Sequence, residues 1–405
     1  MRIAVFAIDL PYPPHQGGRA DIWRRLLQWR ARGVEIALIC WVDGTPDPEA
    51  LRAVRACVAQ LHVYPIRRGP REALTRALML PVAPSHVAAR RLSAQERRSL
   101  EQALTAFAPD AIWIDSVYPA RAAMQLARAL NRPYFYRSHN IEHLYMARQA
   151  RAARQLRDAL AWYAATLGLK RFELHVMRKA RFVFDVSADD LAYWRRCGIG
   201  HIRQLLPLPA IPIDQPPGHS REARREVVFL GNLSRPNNIE GVEWLLLRVR
   251  PLVEAARPGT RWTLAGSAPV AYVRQLVEKM DSVELLSDIA DAEALLFSAS
   301  VLVNPVQTGS GVMVKMLDML MTDAPIISSP QGLAGLPLEV RASVRMESTA
   351  EAFARAIVEE LRDSSVQRVQ RARARSLLWA DTGSQLLEEL ERLCLPADSA
   401  VVTAS

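Results

Sequence analysis

The chain reads as an α/β protein of two doubly wound, parallel-sheet domains facing a cleft. Three observations carry that reading. Short apolar, β-branched runs alternate with longer segments of helical period throughout the 405 residues. A proline-rich stretch at 206–220 interrupts the rhythm near the middle. The charge balance reverses at the same point.

The candidate strands, in order, are Ile3–Ile8, Val34–Cys40, His62–Pro65, Ala111–Asp115, Tyr134–Arg137 and Arg181–Val186. After the break come Val227–Leu230, Trp262–Ala265, Val283–Leu286, Val301–Val303 and Pro325–Ser328. Their apolar residues are continuous rather than alternating, as in strands covered on both faces, and a helix-period segment follows each one. The stretch LPLPAIPIDQPPGHS cannot sustain a helix or a central strand, because proline lacks the N–H and fixes φ. The division is therefore 1–205 as the first domain, 206–220 as linker and 221–393 as the second domain. Residues 350–393 read as helical and able to pack back on the first domain, and 394–405 as a loose tail.

Half the residues are apolar and 23% are charged, proportions of a globular chain that exclude disorder, a coiled coil and a collagen-like fibre. Cys40, Cys57, Cys197 and Cys394 lie far apart, which argues against a disulfide framework or a zinc ribbon and fits a reducing cytosol. The N-terminal MRIAVFAID is a short apolar run closed by an acid, read as a buried first strand rather than a signal peptide. No uninterrupted apolar stretch reaches the roughly 18–20 residues of a spanning helix. The net charge is +10. Residues 1–205 hold 32 Lys and Arg against 17 Asp and Glu, while the rest holds 20 against 25. A basic first half can meet anionic lipid or a phosphorylated acceptor; nucleic acid is not favoured, since no recognition module accompanies the charge. The alternative is that these arginine-rich faces are merely solvated.

The residues able to do chemistry follow strands. Gly17 and Gly18 precede a helix after the first strand, where the backbone can approach an anion closely; an ordinary tight turn is the competing reading. The strand Tyr134–Arg137 ends in Ser138-His139-Asn140-Ile141-Glu142-His143, and His139 can bond a sugar hydroxyl or move a proton near neutral pH. The His139/His143 spacing alone does not make a metal site without an H-E-x-x-H arrangement. Val227–Leu230 runs into a glycine turn at Gly231, with Arg235 able to meet a phosphate. Val301–Val303 leads to Gly309-Ser310-Gly311-Val312 and then Lys315, one of only four lysines among 52 basic residues. Such a loop presents free N–H groups to a phosphate, and Lys315 adds a full charge. Asp318 lies i+3 from Lys315, where it suits vicinal hydroxyls or could simply pair with the lysine.

In order and spacing, these elements resemble the retaining GT-B glycosyltransferases of the "group 1" (family 4-like) type, over nearly the whole chain. The matching positions are Gly17–Gly18; His139, Asn140 and Glu142; Gly231, Pro236, Asn237, Gly241 and Trp244; Gly266–Ser267; and Pro305, Gly309, Gly311, Lys315 and Asp318. The resemblance implies two Rossmann-like domains and sugar transfer, with retention, from a nucleoside diphosphate sugar such as a UDP or GDP sugar. The acceptor would be a polysaccharide, a lipid-linked glycan or a small molecule. It implies that His139 and Asn140 work at the transferred sugar. Gly17, Gly18, Arg235, Ser310, Gly311, Val312 and Lys315 would serve the diphosphate, and Gly231, Ser287, Asp288, Ile289 and Asp318 the ribose and base. No cofactor and no metal are expected. The setting implied is cytoplasmic, peripheral at the inner face of the membrane, in cell-envelope polysaccharide synthesis. Ser310 stands where many relatives carry glutamate, Asn232 where a basic residue is common, and Met313 where some carry arginine. A sugar-nucleotide epimerase of the same fold and a non-catalytic partner subunit are the rival readings.

Overall fold

A computed structural model of the chain describes residues 1–14, 17–80, 82–153, 155–210, 225–289, 291–309, 311–362, 374–375 and 384–394. It divides into two compact units. The first comprises Met1–Pro14, Gly18–Leu205 and the C-terminal Ser384–Cys394 helix; the second is built from Leu206 onward to residue 383 and takes in Gly17.

The first unit holds a seven-stranded sheet of β1 (Arg2–Ala7), β2 (Glu35–Val42), β3 (Gln60–Pro65), β4 (Ala111–Asp115), β5 (Tyr134–Ser138), β6 (Phe182–Asp185) and β7 (Ile202–Gln204). Their order is β3-β2-β1-β4-β5-β6-β7, and every neighbouring pair runs parallel. The apolar residues of β1, β2, β4 and β5 are buried on both faces, which is why their sequences show no alternation. The Ser384–Cys394 helix places Leu386, Leu387 and Leu390 in one core layer of this unit, and Arg203 pairs with Glu389 at 2.5 Å.

The second unit holds six parallel strands: β8 (Arg225–Leu230), β9 (Trp262–Gly266), β10 (Val283–Ser287), β11 (Ala299–Asn304), β12 (Ile326–Ser328) and β13 (Arg345–Met346). The order is β10-β9-β8-β11-β12-β13. Both sheets therefore reverse direction beside their first strand, between β1 and β4 and between β8 and β11. In such doubly wound sheets the crevice beyond the carboxyl ends at that reversal is the binding position.

All eleven strands read from the sequence form. Two further strands, β7 and β13, are edge strands of three and two residues containing Arg, too short and polar to register as apolar runs. The stretch expected to be one helical segment contains the described helices Ala350–Arg362 and Ser384–Cys394, which lie in different units. Of the linker, residues 206–210 are described and irregular, with Leu206 and Leu208 buried; 211–220 and the tail 395–405 lie outside the described residues.

Candidate active site

In the first unit the parallel register sets Ala7, Asp115 and Arg137 abreast at the carboxyl edge, with Ser138 opposite Asp185 one strand further. Two of these four strands thus end in a buried acid, Asp115 and Asp185, and buried Arg137 stands one residue before the end of β5. Asp21, from the Gly17–Ala31 helix, meets Arg137 at 2.6 Å, and Arg137 lies 3.9 Å from Asp115. All three are almost inaccessible to solvent. His139 leaves the end of β5 and is the member of the cluster that reaches the surface, its side chain 19% exposed. Its Nε2 is hydrogen-bonded to Asp115 Oδ1, and its Nδ1 stands 3.9 Å from Asp21. Trp113 donates its indole N–H to the other Asp115 oxygen at 3.2 Å.

The charges explain the protonation states. Burial disfavours the His139 imidazolium, but the Asp115 carboxylate outweighs it and holds the His139 pKa above its ordinary value. Burial alone would raise Asp115; His139, Arg137 and the Trp113 indole instead bring it down to about 2. His139 is thus a ring held on an ionised carboxylate, with part of its side chain open to solvent. Asn140, two residues beyond the strand, is half-buried and bonds Glu142, which also accepts from Tyr118 at 2.7 Å. His143 does not face His139. Its ring is held between Glu173, at 2.6 Å, and the Tyr193 hydroxyl, at 2.8 Å. Gly17 and Gly18 open their helix, and a methyl group on Gly18 would meet open space. Asp21, Asp115 and Arg137 escaped the sequence reading; the signal for Asp115 was an acid closing a fully apolar strand.

In the second unit the backbone is drawn tight around β8 and β9. A Cβ on Gly266 would sit 1.7 Å from the Gly231 carbonyl oxygen, and one on Gly231 would press on Phe229 and Asn238 at 3.0 and 3.2 Å. Only glycine permits this approach. Lys315, on the Val314–Leu320 helix after β11, donates to Asn238 Oδ1 at 2.9 Å and lies 4.4 Å from the centre of the Phe229 ring. Asn238 is itself fixed by the hydrogen bond its side-chain N–H donates to the Asn232 carbonyl at 2.9 Å. Among the described residues the ammonium has no carboxylate partner. Burial without a counter-charge pulls its pKa from 10.5 to about 7. Gly309 and Gly311 adopt φ of 135° and 75°, the loop geometry that side chains resist, and Val312 is half-buried beside them; Ser310 lies outside the described residues.

Asp318 does not pair with Lys315 as their spacing allowed. It is buried and accepts the Ala210 N–H at 2.6 Å, which ties the helix to the chain segment entering the unit. Ser287 and Asp288 sit at the end of β10, exposed, with Ile289 half-buried behind them. Asp288, at φ 50°, donates its N–H to Gly266 and accepts from Ala268, both at 3.0 Å. Arg235 is exposed at the start of the Pro236–Trp244 helix, and its guanidinium makes no ion pair among the described residues. The structure thus gathers Gly231, Asn238, Lys315 and the Gly309–Gly311 loop at the reversal of one sheet, and His139 with Asp115 at the reversal of the other.

Residues 224–363 match the family model described as glycosyl transferases group 1. An uncharacterized 44.6 kDa protein in the cps region of Klebsiella pneumoniae is 24% identical over 345 residues, covering 82% of this chain and 84% of that one. Among solved structures, Alr3699/HepE of Anabaena in complex with UDP superposes with a TM-score of 0.65 at 12% identity, covering 97% of this chain and all of that one. Sucrose-phosphate synthase of Thermosynechococcus elongatus gives 0.63 at 18%, covering 97% and 98%. The chain therefore has the GT-B glycosyltransferase fold, and its residues 224–363 match the group 1 glycosyl transferase family.

Proposed function

We propose that the chain transfers a sugar, with retention and without a metal, from a UDP-sugar to a growing cell-envelope glycan. The carrying observation is Lys315: a scarce lysine, half-buried against Phe229 and Asn238 with no carboxylate partner among the described residues, beside the Gly309–Gly311 loop. An anion completes that arrangement. The diphosphate of a sugar nucleotide supplies one, and charge builds on it as the bond to the sugar breaks. A fixed cation and backbone N–H groups at Gly311 and Val312 then stabilise the leaving group more than the ground state. Gly231 and the Ser287–Ile289 turn are assigned to the ribose and base, with Asp318 holding the helix that carries Lys315. His139, oriented by Asp115, is assigned to a hydroxyl of the transferred sugar, with Asn140 beside it.

Uridine is favoured because structures of Anabaena HepE contain UDP and UDP-glucose. An envelope glycan is favoured by the cps-region relative, and a glycan acceptor by the structure of an S. aureus TarM variant in complex with fondaparinux, α-GlcNAc-glycerol and UDP. A panel of UDP- and GDP-sugars, incubated with lipid-linked and soluble glycan acceptors and followed by NMR of the product anomer, tests this. The expected product keeps the donor's anomeric configuration. An inverted product removes retention; an epimerised free sugar nucleotide, or no turnover despite donor binding, removes glycosyl transfer.

A further inference from the structure

The turn that carries His139 and Asn140 is short and is held at both ends. On one side Ser138 closes β5, its backbone in register with Asp185 of β6, and its hydroxyl donates to the Asn140 carbonyl at 3.2 Å. On the other side the Glu142–Ala152 helix begins, and its opening N–H groups have no acceptor within the helix. Ile141 stands at the cap position and has no side-chain oxygen to offer them. The acceptor comes from another helix. Glu173, on Leu169–Lys179, takes the Glu142 N–H at 2.9 Å with one oxygen and the His143 N–H at 3.3 Å with the other. The second oxygen also accepts from His143 Nδ1 at 2.6 Å.

A serine or aspartate at position 141 would cap this helix from its own loop. Glu173 is instead fully buried, and a carboxylate taken out of water must recover its lost hydration through the hydrogen bonds it makes. What the remote carboxylate adds is a tie between the first turn of one helix and the body of a second. His143 shares in it, its ring pinned at both nitrogens, with Nε2 2.8 Å from the Tyr193 hydroxyl. The tie reaches Asn140 by a further route. The Glu142 side chain, which accepts from Tyr118 at 2.7 Å, also bonds the Asn140 side chain. His139, Asn140 and Ile141 thus span two fixed anchors, the sheet at Ser138 and Glu173 at Glu142.

We infer that Glu173 is a positioning residue for sugar transfer: too deeply buried to meet substrate, it clamps Glu142 and His143 and so sets where the His139 ring and the Asn140 amide stand. The inference rests on the assignment of those two residues to the transferred sugar. A displacement of about 1 Å in such a group can slow a reaction about 100-fold.

NMR titration of the His139 ring and turnover of UDP-glucose, both on the full chain, test it. Glu173→Gln keeps the shape but places an NH2 group against the His143 donors. Glu173→Asp keeps the charge but draws the oxygens back by one methylene. In wild type Asp115 holds the His139 midpoint above 6.5, and in both variants it should fall towards that value as the ring shifts from Asp115. The kcat should drop about 100-fold, while UDP affinity stays at its wild-type value, since Lys315 and Gly311 belong to the other unit. Leu390→Ala weakens the same unit from its other core layer and should keep both the midpoint and kcat, which separates positioning from lost stability. An unmoved midpoint in the Asp variant makes any effect of the Gln variant one of charge alone and overturns the inference. So does a wild-type kcat in both variants, or an equal loss in Leu390→Ala. Should the Gln variant fail to fold, the Asp variant decides. If wild type turns over no sugar nucleotide, the proposed transfer falls, and the His139 midpoint still decides the role of Glu173.

Discussion

Replacing Lys315 by alanine removes the one cation that the second unit holds against Asn238 and Phe229. A charge-assisted hydrogen bond to a diphosphate is worth about 1.5–3 kcal/mol, which corresponds to about 10- to 150-fold in dissociation constant. The pH dependence is more specific. The free protein holds Lys315 at about 7, so above that value most of the ammonium is lost before ligand arrives. A bound diphosphate restores it and takes up a proton. UDP-glucose affinity should therefore fall as pH rises from about 7 towards 9, by up to about tenfold per unit, whereas Lys315→Ala should show a flat profile. UDP-glucose suits the assay because its diphosphate, substituted at both ends, does not titrate in that range. Stability moves the other way. Lysine is protonated when unfolded and mostly neutral when folded between about 7 and 10.5, so the folded state gains with rising pH across that window. Removing the ammonium should leave the protein as stable or more stable near neutrality. Calorimetric titration of both proteins at two pH values decides it: equal affinities, or parallel pH profiles, would refute the placement of the diphosphate at Lys315.

Three further outcomes are expected. Asp115→Asn should drop the NMR titration midpoint of His139 below its wild-type position and lower stability at neutral pH by about 2 kcal/mol. In wild type that Asp115 contribution is present above its ordinary pKa of 3.8 and is lost as pH falls towards about 2, while His139's is present below about 6.5 and lost as pH rises through its elevated pKa; an unmoved midpoint would show that the pair is not coupled. Gly266→Ala puts a methyl group 1.7 Å from a backbone oxygen and should cost over about 3 kcal/mol or prevent folding, whereas Gly18→Ala, facing open space, should stay within about 0.5 kcal/mol in denaturant melts. Leu390→Ala empties a fully buried position in the first unit and should cost about 2–4 kcal/mol, so a change under 0.5 kcal/mol would mean that the C-terminal helix does not stabilise it.

Much of the second unit's candidate site was legible because its signals are local. Glycines at Gly231, Gly266, Gly309 and Gly311 mark backbone that cannot carry a side chain, and a lysine one turn beyond the loop stands out in a chain that otherwise uses arginine. The i,i+3 spacing let Asp318 pair with Lys315, but spacing says which residues share a face and not what lies opposite. Ala210, 108 positions away, occupies it. The His139 segment was visible as a polar cluster after a strand. Its controlling partners were not, because Asp21, Asp115 and Arg137 meet only through strand register and a helix crossing.

By itself, the sequence determined the periodicities, hence two parallel sheets with their order of strands and helices, and the points where the backbone must be bare. Those are short-range consequences of sterics and apolar burial. Tertiary structure alone decided which charges face each other in the dry interior. Burial strengthens their interaction and sets whether His139 is protonated, Asp115 ionised or Lys315 half neutral. It also decided which leucines remain outside the core, since a helix stripe looks the same in a sequence whether or not a partner covers it.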